Sequence, residues 1–213
     1  MKKLIGILLM TFLGKVEAFV PSEAHTFEFN IEPIRMGRQS ENKLFEGVEL
    51  LRMVFSSEEF KMRILKHRFN ERYAFSHNKG LSNRRIYNLL LKGTEKLFPY
   101  ENNAMDVEVE LYSDYRSQVL GYTMTGSRRI WMNKKYFNKH SPAEVASHLT
   151  HEWLHKLGFH HEKERTENRK YSVPYAIGYI VKDLAREFEY ENYHQKRSYQ
   201  RERGIRSPTY HER

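Results

Sequence analysis

The feature that most constrains this chain is the run His151-Glu152-Trp153-Leu154-His155-Lys156-Leu157-Gly158-Phe159-His160-His161, which reads H-E-x-x-H-x-x-G-x-x-H. Residues four apart on an α-helix lie on nearly the same face, so His151 and His155 can aim their ring nitrogens at one point. Gly158 follows one turn later. Glycine tolerates positive φ, so it can end the helix and turn the chain back. That turn lets His161 close a third corner of a tetrahedron and leaves the fourth corner for water, an arrangement that suits a catalytic Zn²⁺. Glu152 follows the first ligand directly and can reach that water without ligating the ion.

So polar a run must be anchored in a core, and its surroundings supply the means. Ser141-Pro142-Ala143-Glu144 opens a helix: serine caps it, proline suits the first turn, and glutamate three residues on completes a capping box. Val145, Ala146, Leu149, Trp153, Leu154 and Leu157 then give the helix an apolar side.

Upstream, His25–Glu32 alternates, with Phe27, Phe29 and Ile31 on one face, and reads as a half-buried strand punctuated by Pro33 and Gly37. Helical spacing runs from Ser40 to Lys66, with a second helix opening at Ser56-Ser57-Glu58-Glu59. Residues 69–80 read as a loop. Ser82 caps a third helix whose stripe is Ile86, Leu89, Leu90 and Leu97, ended by Phe98-Pro99. Met105–Tyr112 alternates as a strand with an acidic outer face. Val119–Met124 reads as its partner strand, and an extended run resumes at Arg129–Asn133 after a turn at Thr125-Gly126-Ser127. The expected fold is an α/β (α+β) domain with a mixed sheet and an active-site helix.

The length of 213 residues, 30% charged and 39% hydrophobic, fits one globular domain with a real core. The absence of cysteine excludes disulfides, thiolate metal sites and cysteine nucleophiles. Residues 1–18 have a secretory pattern: Lys2 and Lys3, an apolar run from Leu4 to Leu13, then Val16-Glu17-Ala18, with cleavage expected after Ala18. Too short an apolar run is left for a stable membrane span. The expected organisation is a signal peptide over 1–18, one domain over 19–192 and a basic tail over 193–213, and the expected location is secreted. Loss of Lys2, Lys3, Lys15 and Glu17 lowers the formal charge from +9 to +7. Such a charge is compatible with anionic cell-envelope material as a partner. The basic residues are scattered, and no nucleic-acid module is present.

The H-E-x-x-H-x-x-G-x-x-H run resembles the signature of the metzincin zinc metallopeptidases. The resemblance implies a zincin-like domain and a secreted zinc endopeptidase acting on protein or peptide substrates, with His151, His155 and His161 as zinc ligands and Glu152 as general base. It also implies that the strand region 121–127 pairs with an extended substrate as an added β-strand. One family element is missing. Metzincins carry a methionine in a tight turn after the third ligand, yet all eight methionines here lie at or before Met132. The nearest match is Ser172-Val173-Pro174-Tyr175. By analogy, Pro174 forms an apolar floor and Tyr175 reaches the metal or the oxyanion as a further catalytic residue. Ala176, Ile177, Ile180, Val181 and Leu184 then form the helix that the family places behind the site.

Alternatives stay open at the level of residues. His148 lies one turn before His151 and suits a supporting or surface position. His160 could exchange with His161 by a one-residue shift, and Glu162 or Glu164 could replace a histidine as third ligand. A zinc hydrolase acting on cell-wall peptide cross-links shares every catalytic residue with a peptidase. A non-catalytic zinc-binding interaction protein shares the ligands alone. Residues 19–40 could also fold into the cleft as a latency segment.

Overall fold

A computed structural model describes residues 27–97 and 99–202. The elements in chain order are β1 (Glu28–Ile34), α1 (Arg38–Ser56), α2 (Glu58–Lys66), α3 (Asn83–Lys92), β2 (Ala104–Tyr112), β3 (Gly121–Thr123), β4 (Arg129–Asn133), α4 (Lys134–Phe137), α5 (Pro142–Lys156) and α6 (Val173–Glu202). A 3₁₀ turn at Glu167–Tyr171 precedes α6. The fold is α+β, with one mixed sheet.

The sheet order is β1-β2-β4-β3. β1 and β4 run parallel to β2, and β3 runs antiparallel to β4 at the edge. Alternation in β2 works as its sequence requires. Met105, Val107 and Val109 are buried, while Glu108 and Glu110 face outward and share the Arg129 guanidinium at 2.8 Å. Pro33 lies inside β1 rather than ending it. β1 is an edge strand, so the missing N–H leaves no gap in a ladder. β3 pairs with β4 and not with β2, because the parallel β2–β4 ladder leaves only the far edge of β4 open. Val119, Leu120 and Met124, read as strand, lie outside β3 and are exposed.

The helix starts follow their local chemistry. Ser57 accepts from the Phe60 amide and Ser82 from the Arg85 amide. The expected end of α3 is too late, however. Gly93 caps it in the left-handed region, and Leu97 lies beyond it, exposed. α1 and α5 pack against each other, with α1 also meeting β1 and α5 meeting β3 and β4, while α6 packs on both helices. Phe27, Phe29, Phe55, Phe60 and Trp153 form an aromatic knot where α1, α2, β1 and α5 meet. The described part of the segment considered for latency, residues 27–40, is built into β1 and the start of α1, and not into a cleft.

α6 continues to Glu202, into the stretch expected as a tail. No helix of the described residues is long and apolar enough to cross a membrane. The signal-peptide reading over 1–18 and the last part of the tail fall outside the described residues.

Candidate metal centre

α5 carries the motif and begins as its sequence demands. Ser141 Oγ accepts from the Glu144 amide, and the Glu144 carboxylate accepts from the Ser141 amide. Leu149, Trp153 and Leu154 are fully buried. Trp153 packs into the aromatic knot and donates its indole N–H to Glu95 Oε1 at 2.6 Å. Glu95 also accepts from the Asp106 amide, so one buried carboxylate ties α5 to β2. Burial raises its carboxyl above the ordinary value, an effect opposed by those two hydrogen bonds.

The helix ends in a Schellman turn. Gly158 N–H bonds to His155 O at 2.9 Å and Phe159 N–H to Leu154 O at 3.0 Å, with Gly158 at φ 91°. Phe159 and Leu154 are both buried, which supplies the apolar contact of that motif. Two residues later the chain brings His161 back to α5. One ring nitrogen each from His151, His155 and His161 lies within 4.8 Å of the others.

The hydrogen bonds of the ligands select their tautomers. His155 Nδ1 donates to Phe159 O and His161 Nδ1 to Glu162 O, both at 2.8 Å, which leaves each Nε2 lone pair free for a metal. Burial pulls His151 down to about 3, with the neighbouring histidines adding to it, so the ring is neutral at ordinary pH. Burial likewise lowers His161. Three imidazoles within reach of one point fit a divalent metal ion.

Glu152 is buried beside this cluster. Burial alone would raise its carboxyl. His148, His151 and His155 outweigh that effect and hold it below the usual carboxylate value. His148 Nε2 stands 3.4 Å from Glu152 Oε1, and both side chains are less than a tenth exposed. His148 is thus a supporting residue and not a ligand.

Its position depends on β3. A Cβ on Gly121 would come within 2.7 Å of the His148 ring and 2.5 Å of Trp131 O. A glycine inside a strand permits such close approach.

Tyr175 is brought to the site. Its ring lies 4.5 Å from that of His151 and 4.8 Å from that of His161. The Arg169 guanidinium covers it at 4.9 Å. Pro174 does not form a separate turn. It sits in the first turn of α6, where a missing N–H costs nothing, and so Tyr175 approaches the ligands from a helix N-terminus.

His160 lies outside the cluster, its ring stacked 6.0 Å from that of His155. Glu162 faces His77 at 3.4 Å and accepts from Thr166, and Glu164 is exposed, so neither carboxylate belongs to the ligand group.

Lys156, unremarked in the sequence, is buried and donates to Ser127 O at 2.6 Å and Arg129 O at 3.0 Å. It clamps the turn between β3 and β4 onto the end of α5. Burial pulls its ammonium down to about 8, against the pull of Glu152, Glu95 and Glu108.

The chain matches no protein-family model, no curated protein and no solved structure.

Proposed function

We propose that this protein is a secreted zinc-dependent endopeptidase of the metzincin type. The observation that carries the reading is a ligand group of only three histidines among the described residues, with a buried glutamate next to it. A purely structural zinc site closes its fourth position with another protein ligand, whereas a catalytic one keeps that position open beside a base.

Zinc, when held by His151, His155 and His161, supplies Lewis acidity toward a peptide carbonyl and eases deprotonation of a water. Glu152 takes the water proton on a carboxylate oxygen as the water oxygen adds to the carbonyl carbon. It then delivers that proton to the amide nitrogen as the C–N bond breaks. His148 stands beside Glu152 at 3.4 Å and is among the groups that lower its carboxyl. Tyr175 offers its phenol to the developing oxyanion. β3 presents its free edge to an extended peptide, and Lys156 and Gly121 fix the height of that edge above α5.

Metal analysis of the purified chain should return about one zinc per molecule, as the three-ligand set requires. Hydrolysis of a quenched fluorescent peptide should require that metal. Glu152→Gln should lower turnover by about 10³-fold or more while zinc content stays the same. Full activity in that variant, or a zinc-free native protein, overturns the reading. Release of cell-wall cross-links with no peptide turnover would redirect it to a different amide substrate at the same centre.

A further inference from the structure

Two lysines outside the metal centre converge on the turn that ends α5. Lys96 lays its stem across Gly158, in the space a side chain there would occupy. Its Nζ lies 3.3 Å from the position a Cβ would take, and Lys79 Nζ lies 3.4 Å from the same position. Two ammonium groups that near to one point are necessarily close to each other. Among the described residues neither makes an ion pair or a side-chain hydrogen bond. Like charges this near to one another repel, and an anion between them turns that repulsion into attraction.

Both lysines are exposed, and it is their backbones that are fixed. The Lys96 amide donates to Lys156 O at 2.9 Å, which pins that residue to the helix end. Lys79 sits in a turn closed by Asn78, whose side chain accepts from Gly80 N–H and donates to Leu81 O, each at 3.0 Å. Beside the pair stands His160, whose ring lies against that of the ligand His155.

We propose that Lys79, Lys96 and His160 form a carboxylate-binding subsite one ring away from the metal centre, which directs the enzyme to acidic peptides. The inference rests on the peptidase reading for its meaning but not for its test. A carboxylate bridging the two ammonium groups gains two charge-assisted hydrogen bonds, and the imidazole offers a third polar contact. The carboxylate has two possible sources, an Asp or Glu side chain within the substrate or the free C-terminus of a short peptide. The first makes the subsite a specificity pocket for internal cleavage, and the second makes it an end-recognition device.

The test is a binding titration on the zinc-loaded Glu152→Gln full-length chain, which holds peptide without cleaving it. Three fluorescent peptides serve as probes: one with internal glutamate and an amidated end, its glutamine counterpart, and the glutamine peptide with a free carboxyl end. Binding of the glutamate peptide or of the free-acid peptide should be tighter than that of the amidated glutamine peptide by roughly fivefold. The margin should shrink in 0.5 M salt, as expected for partly exposed charge contacts. Whichever carboxylate source is used names itself by its own margin. Adding Lys79→Ala and Lys96→Ala should abolish the margin, and Lys96→Glu should invert it.

Equal binding of all three peptides, absence of binding by all, or a margin that survives both alanine substitutions overturns the subsite. A margin seen with a wild-type chain that hydrolyses no peptide would retain the subsite and remove the peptidase. Peptide hydrolysis without a margin would do the reverse.

Discussion

His151, His155 and Glu152 stand on α5, whereas His161 stands on the segment between Gly158 and α6. α5 is capped at both ends, buries Leu149, Trp153 and Leu154, and packs on α1, α6, β3 and β4. The His161 segment has no regular structure before the 3₁₀ turn, and it is held by polar contacts to residues 76–77. Ser76 N–H donates to Tyr171 O at 2.9 Å, Ser76 Oγ donates to Asn168 O at 2.8 Å, and His77 faces Glu162. One side of the site is therefore supported by apolar burial along a helix, and the other by the single buried ring of Phe159, ring contacts of Tyr171 with His67 and Phe69, and a few hydrogen bonds. The first should fail only when the domain unfolds, and the second should loosen locally.

This contrast can be broken hardest at Trp153. Trp153→Ala removes the largest buried side chain of α5 and leaves the buried Glu95 carboxylate with the Asp106 amide but without its indole donor. It should cost about 3–5 kcal/mol, read as a shift of the whole urea transition. Gly158→Ala strikes the junction. An L-residue at φ 91° is strained by about 1–3 kcal/mol, and the added Cβ meets the Lys96 stem. Metal affinity should fall more than global stability suggests, because His161 and the carbonyl that orients His155 move together.

Ser76→Ala sharpens the comparison from the loop side. Its loss is about 1 kcal/mol. The expected readout is faster zinc release to a chelator with little change in the urea midpoint.

A smaller effect comes from His67, which stacks on Phe75 at 4.1 Å at the foot of the same brace. Burial lowers its pKa, so the unfolded chain binds the proton more readily than the folded one. Stability is therefore fully present above its ordinary value near 6.5 and declines as the pH falls through 6.5 toward the depressed folded value. His67→Phe should flatten that part of a stability–pH curve measured in urea. Glu162→Gln should do least, within about 0.5 kcal/mol, because its contact with His77 is partly exposed. An equal response of metal release and global unfolding to all of these changes would dissolve the distinction.

The same division explains what could be read from the chain alone. α5 was legible almost to the residue, because its cap, its apolar side and its terminal glycine are all local signals. Helical spacing paired His151 with His155, while the third position was open to His160, Glu162 or Glu164 until the family resemblance selected His161, the residue that the fold brings to the group. The helix starts at Ser57 and Ser82 were equally local. The contacts that complete the site are not. His148 needs Gly121 across a sheet edge, Lys156 needs two carbonyls in a distant hairpin, and Trp153 needs Glu95. None of these pairs has a spacing that marks it. The stripe that placed Leu97 in α3 failed for a related reason: apolar periodicity continued by chance past Gly93, whose capping role outranked it. Tyr175 was singled out by analogy to a turn, but it reaches the ligands from the first turn of a helix.

The Schellman turn at Gly158 has a consequence for how the metal is acquired. The Phe159 carbonyl that holds the His155 tautomer exists in the right place only when that turn has closed, and closing it also delivers His161. Before closure the chain offers two helix histidines, one of them free to rotate and exchange tautomers. After closure it offers three aligned donors at once. On the proposed metal-binding reading, loading should therefore be all-or-none along the folding route, and a half-folded chain should bind a divalent ion poorly.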